Sequence, residues 1–260
     1  KQKTAYEIMP SLVGSEMCIR DSSNTCTVKS LSLLSYAIRV IIPPICNVYK
    51  YLYKMSRAKM YQGLNATLQG KRRLNIDSSS RCNLLCPGCY RTRTVSAEDR
   101  PWQIMDMPME YFQSLVRPEN RLDVLTYNLT LSDPIYSGVL LEQLEYVSKQ
   151  DNPPRIVIST NGSGRNEKYW RKLAGLLKPN DVVEFAVDGL EDTNNIYRVN
   201  AKWDSIINGM QWMKKYGKCN VGWRFIVFEH NYHQVDEARQ QAKLLHLDRL
   251  VLFQKLFLKV

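Results

Sequence analysis

From residue 72 onward, short runs rich in β-branched and aromatic residues alternate with segments whose apolar residues recur at helical spacing. The runs predict strands over 72–78, 123–131, 155–160, 182–187, 220–228 and 249–253. The second carries Val124, Leu125, Tyr127, Leu129 and Leu131, dense enough in apolar residues for a strand buried on both faces. Helices are expected between them, over 109–116, 137–149, 165–177, 203–216 and 234–245. In the second of these Val139, Leu140, Leu144 and Val147 share one face; in the third, Tyr169, Leu173, Leu176 and Leu177 do. Gly217 follows the fourth as a stop signal. Repeated strand-helix units imply an α/β fold: a parallel sheet with helices outside.

Residues 1–54 break this pattern. The opening 22 residues resemble translated sequencing adapter, and residues 15–21 back-translate into the end of a transposon-based library adapter. Residues 23–54 hold apolar patches interrupted by Arg39, Pro43, Pro44 and Lys50, so no run reaches the roughly twenty residues that span a bilayer. No small-residue cleavage site follows them, which argues against a signal peptide and a membrane location. The expectation is that 1–54 is a non-native extension, adapter read-through plus upstream translation, that the native start is Met55 or Met60, and that 55–260 form the core domain.

The chain's net charge is +11, from 36 basic and 25 acidic side chains; without residues 1–54 it is 29 against 22. The basic residues are scattered and form no Lys/Arg block, which reads as a solvated basic surface and speaks against a nucleic-acid partner. Seven cysteines, an odd count without even spacing, argue against a disulfide framework and for a reducing cytoplasm.

Three of those cysteines, Cys82, Cys86 and Cys89, fall in one loop directly after the first strand, spaced CxxxCxxC. A structural zinc site closes its tetrahedron with four ligands, commonly from two paired halves, and no second half is present. Three thiolates suit a cubane iron-sulfur cluster that keeps one iron open for chemistry. This motif resembles that of the radical S-adenosylmethionine (radical SAM) enzymes, and the likeness runs from about residue 72 to the end of the chain.

The resemblance implies a partial (β/α)6 barrel, a TIM-like arrangement of parallel strands with helices outside. The chain stops soon after the sixth strand, so it is expected to be truncated at its C-terminus. It implies that Cys82, Cys86 and Cys89 bind three irons of a [4Fe-4S] cluster, whose fourth iron chelates S-adenosylmethionine. Reductive cleavage of that cofactor gives a 5′-deoxyadenosyl radical, which abstracts hydrogen from a substrate. The partners it implies are a one-electron reductant such as flavodoxin or ferredoxin and a substrate, peptide or small molecule. The segment from Asp188-Gly189-Leu190 to Tyr197-Arg198 looks most like the group that carries an extra C-terminal cluster domain and often modifies peptides. The alternative is a non-catalytic iron-sulfur or zinc binding protein on a barrel scaffold.

Each further polar motif falls at a strand's C-terminal edge, where parallel barrels carry function. Asp133, after the second strand, resembles the family's acidic contact to the cofactor's amino group, with Ser132 in place of the usual glycine; an Asx turn before Pro134 explains it equally well. Ser159 and Asn161 resemble the segment that reaches the ribose and carboxylate, although Asn161-Gly162 is also a turn signal. Asp188 resembles a ribose acceptor and Arg198 a planar fork for the cofactor's carboxylate; a cap and a surface ion pair are the bland readings. Where the family often has an aromatic residue before the third cysteine, this chain has Gly88, with Tyr90 as a candidate substitute. His230, His233 and His246 form no ligand set, and Cys219 reads as a small apolar filler.

Overall fold

The alternation of the sequence becomes six strands in a computed structural model that describes residues 72–95 and 103–254. The extension at 1–54 and the start codons at Met55 and Met60 lie outside the described residues. The strands are β1 (Arg73–Ile76), β2 (Val124–Tyr127), β3 (Arg155–Thr160), β4 (Val182–Ala186), β5 (Asn220–Val227) and β6 (Arg249–Gln254). They pair in chain order and every pair is parallel, so each connection crosses over the same face. Among the described residues β1 and β6 are the two edges, and the sheet is an open arc of a barrel. The expected α/β class and partial barrel are what is found.

The helices are α1 (Tyr90–Val95), α2 (Met109–Val116), α3 (Leu140–Ser148), α4 (Glu167–Leu176), α5 (Asn194–Tyr197), α6 (Trp203–Tyr216) and α7 (Val235–Leu244). Among the described residues, no helix is long and apolar enough to cross a membrane. Alternate strand residues Leu125, Tyr127, Ile156, Ile158, Val183, Phe185, Val221, Trp223 and Phe225 are buried on the helix side. Trp170 of α4 is fully buried there, and α6 comes close enough that a Cβ on Gly209 would lie 3.0 Å from its indole. A Cβ there would have to push the indole back by a few tenths of an ångström, so glycine suits the close approach.

Boundaries shift where side chains offer the backbone a better partner. The second strand ends at Tyr127 rather than Leu131 because the amides of Thr130 and Leu131 turn inward to donate to Asp77 Oδ1, at 3.2 and 3.0 Å. The helix expected from residue 137 starts at Leu140, since Ser137 Oγ accepts from the Val139 amide at 3.2 Å. Asn166 delays α4 by acting as its N-cap, accepting from the Tyr169 amide at 3.1 Å. The short helices α1 and α5 were not anticipated; both sit in the loops that form the site.

Candidate functional site

The loop after β1 is shaped by backbone bonds before any ligand is considered. Ser80 donates to the Met105 carbonyl and Met107 to the Ser78 carbonyl, both at 2.9 Å, so the 103–107 segment braces its entry. Leu84 is buried and its neighbour Leu85 donates to the Val199 carbonyl at 3.1 Å, tying the loop to the connection after β4. The Cys89 amide closes a turn on the Cys86 carbonyl at 3.0 Å, and the Cys89 carbonyl then starts α1 by accepting from Arg93. The three cysteines are free thiols, with Cys86 buried and the other two half-buried. All three line one cavity of about 250 Å³, together with Asn161, Tyr197 and Arg198.

Two of the thiols face nitrogen donors brought from other strands. Asn161, after β3, points Nδ2 at Cys82 Sγ from 3.8 Å and at Asn83 Oδ1 from 2.9 Å. Arg198, at the end of α5, places Nη1 4.0 Å from Cys86 Sγ and donates Nε to Asp188 Oδ2 at 2.6 Å. Asp188 is fully buried and Arg198 is 14% exposed. Its second oxygen accepts from the Ile226 amide at 2.7 Å, which locks the pair to β5. Burial works against the guanidinium's charge, but Asp188, with Cys86 adding, outweighs it and leaves Arg198 above the usual arginine value. Burial pushes the Cys82 thiol up to about 12, with Asp133 adding to the rise, and raises Cys86 despite the opposing Arg198. Cys82 and Cys86 are therefore protonated near neutral pH in the free loop, and a metal must displace those protons to bind.

The other residues singled out in the sequence divide. Asn161 and Arg198 stand at the cavity, and Tyr90 lines it with 56% of its surface exposed. Asp188 stands behind Arg198. Asp133 is fully buried and outside the cavity lining: it accepts from the Ile135 amide (3.2 Å), Thr160 Oγ1 (2.8 Å) and the Asn161 amide (2.7 Å). The turn reading of Asp133 is thus realised, and through Asn161 it also sets the donor that faces Cys82. Ser159 is buried and accepts from Arg224 Nη1 at 3.3 Å, away from the cysteines. One residue was missed. Tyr197 lies against Gly88, where a Cβ would be 3.0 Å from its hydroxyl, so an aromatic ring fills the space beside the third cysteine from a different strand connection. The glycine itself was the available signal.

Among the described residues, no three His, Cys, Asp or Glu side chains gather around a common single-ion position. A cubane makes a different demand, because each thiolate takes its own iron. The cavity lining holds three sulfurs and no carboxylate or imidazole, a soft donor set that fits an iron-sulfur cluster. Polar groups beside it, Thr130, Ser132 and Asn161, suit a neutral-polar and zwitterionic ligand.

Comparison with known proteins agrees. No curated protein sequence matches the chain significantly. Among solved structures it is similar to native anSMEcpe with bound AdoMet, at 19% identity and TM-score 0.54, covering 70% of this chain and 52% of that one. It is similar also to Streptococcus suis SuiB bound to precursor peptide SuiA (16% identity, TM-score 0.58, covering 85% and 49%) and to methylornithine synthase PylB (13%, 0.52, covering 71% and 53%). The chain thus spans about half the length of the solved structures it matches. The radical SAM superfamily, whose members are enzymes, uses a [4Fe-4S] cluster and S-adenosylmethionine. Its sequence profile matches residues 76–242, a span that contains the three-thiol loop and every residue gathered around it, and the chain belongs to the radical SAM superfamily.

Proposed function

We propose that this chain is the core of a radical SAM enzyme in which Cys82, Cys86 and Cys89 hold three irons of a [4Fe-4S] cluster. The observation that carries the reading is the convergence of three thiols, Asn161 and Arg198 on one cavity at the C-terminal end of β1. When bound, the cluster and S-adenosylmethionine supply one-electron cleavage of a sulfonium and hydrogen abstraction from a substrate. The protein's part is geometry and charge. Asn161 and Arg198 point N–H groups at sulfur, which favours the anionic thiolate over the thiol. Arg198, held by Asp188, keeps a positive charge beside a cofactor that carries a carboxylate. Tyr197 and Tyr90 offer ring surface beside Gly88 in the role of the family's aromatic neighbour of the third cysteine. Asp133 acts through Asn161 as a positioning residue, and Ser159 lies one step deeper, in the chamber rather than at the cluster. The substrate is a peptide or a small molecule, and the electron comes from an external one-electron donor such as flavodoxin or ferredoxin.

Anaerobic reconstitution with iron and sulfide, followed by dithionite and S-adenosylmethionine, tests the reading. The expected outcome is about four irons per chain and formation of 5′-deoxyadenosine. Zinc as the sole bound metal, or a loaded cluster that never yields 5′-deoxyadenosine, sinks it; the latter result would mark a passive iron-sulfur protein.

A further inference from the structure

The concave face of the sheet, opposite the helices, carries one layer of charge that the cysteine site does not use. Ser159, Glu184, Gly222 and Arg249 are in register across β3 to β6. Gly222 has no side chain, and its missing Cβ would lie 2.9 Å from Arg249 Cγ, so Arg249 crosses over it to pair with Glu184. Arg224, two residues further along β5 on the same face, reaches down to Ser159 Oγ at 3.3 Å and to Glu184 Oε2 at 3.8 Å, with its guanidinium 5.0 Å from the Phe253 ring. Two guanidiniums therefore share one carboxylate, leaving one positive charge uncompensated within the layer. Both Arg224 contacts run through Nη1; among the described residues no acceptor meets its Nε or Nη2. The arginines keep 35% and 40% of their side-chain surface exposed while Glu184 keeps 16%, so the layer presents mainly its cations to solvent.

Position gives this charge a role. Ile226, whose amide binds Asp188, lies two residues beyond Arg224 on β5, so the backbone at Arg224 stands about 6.6 Å along the strand from the residue that anchors the Asp188–Arg198 pair. We infer that the Ser159, Glu184, Arg224 and Arg249 layer is an oxyanion subsite, which takes a carboxylate or phosphate group of the molecule that enters the barrel. That this molecule is the substrate rests on the proposed function; the subsite itself does not. The planar fork of Arg224 suits either oxyanion, and Ser159 supplies a hydroxyl beside it.

Acetate and inorganic phosphate, titrated at fixed ionic strength against a chloride reference and followed by tryptophan fluorescence and thermal unfolding of the full chain, test it. Saturable binding of one or both is expected. Preference for acetate points to a carboxylate on the substrate and preference for phosphate to a phosphorylated one. Arg224→Gln is expected to weaken binding by about tenfold or more, and Glu184→Gln, which removes the competing carboxylate, to strengthen it. No saturable binding of either anion, or an unchanged response in Arg224→Gln, overturns the inference. Should Arg224→Gln fail to fold, Glu184→Gln decides: unchanged or weaker binding overturns the inference. These measurements need neither cluster nor S-adenosylmethionine, so a negative 5′-deoxyadenosine assay leaves them readable, and the two failures are distinct.

Discussion

The two faces of the same strands are built on opposite principles. The convex face, under the helices, is filled by volume: Trp170, Phe185, Trp223 and Phe225 bury rings against one another, and Trp170 and Phe185 stand 5.3 Å apart. It even leaves polar atoms unpaired, among them Tyr127 Oη and both polar ends of the Gln143 side chain. At the strand ends and on the concave face, direction counts instead. Asp133, Asp188 and Asn231 are all fully buried, and each is bonded from two or more sides. Packing tolerates shape-preserving change, whereas a network of directed bonds fails when one partner is lost. One sheet can thus keep a generic scaffold on one side and specific chemistry on the other.

The contrast can be broken hardest at the cysteines. Replacing Cys82, Cys86 or Cys89 singly by alanine is expected to abolish cluster loading, read as iron and sulfide content and cluster absorbance, while circular dichroism stays that of the folded chain. Retained iron in any one variant would remove that thiol from the site. On the convex face Trp170→Ala should do the reverse, costing about 3–5 kcal/mol of stability by urea unfolding through the cavity it leaves. A loss under about 1 kcal/mol would show that the α4–α6 contact is not a packing centre.

Asp133 joins the two regions through pH. Burial pushes its carboxyl from 3.8 up to about 6, with the Asn161 and Thr160 bonds opposing. A raised folded-state pKa means the fold holds the proton more tightly than the unfolded chain does. Its stabilising contribution is complete below 3.8 and fades as pH climbs through about 6. Asp133→Asn cannot titrate, so the stability of the unsubstituted protein relative to this variant should fall by about 2 kcal/mol between pH 4 and pH 7. A difference that is flat across that range would contradict the assignment. The smallest expected effect is at Gln143, whose amide is fully buried without a hydrogen-bond partner. Gln143→Met, close in shape and free of that penalty, should stabilise by roughly 1 kcal/mol, seen as a higher unfolding midpoint; a lower midpoint would indicate that a buried water satisfies the amide.

Much of this was legible in the chain because it depends on short-range patterns. Strand and helix periodicity set the βα order, and the right-handed preference of parallel crossovers then leaves few sheet arrangements. The spacing of Cys82, Cys86 and Cys89 brings three thiols into one loop whatever the rest of the molecule does. What faces that loop was decided only by tertiary structure. Asn161 reaches Cys82 across 79 residues and Arg198 reaches Cys86 across 112, distances over which no local pattern constrains a side chain. The burial of Asp133, the fit of Tyr197 beside Gly88 and the placing of Arg224 over Glu184 belong to the same class. Each depends on which strands lie next to each other and in what register, and a one-residue shift would turn strand residues such as Arg224 and Glu184 to the other face of the sheet.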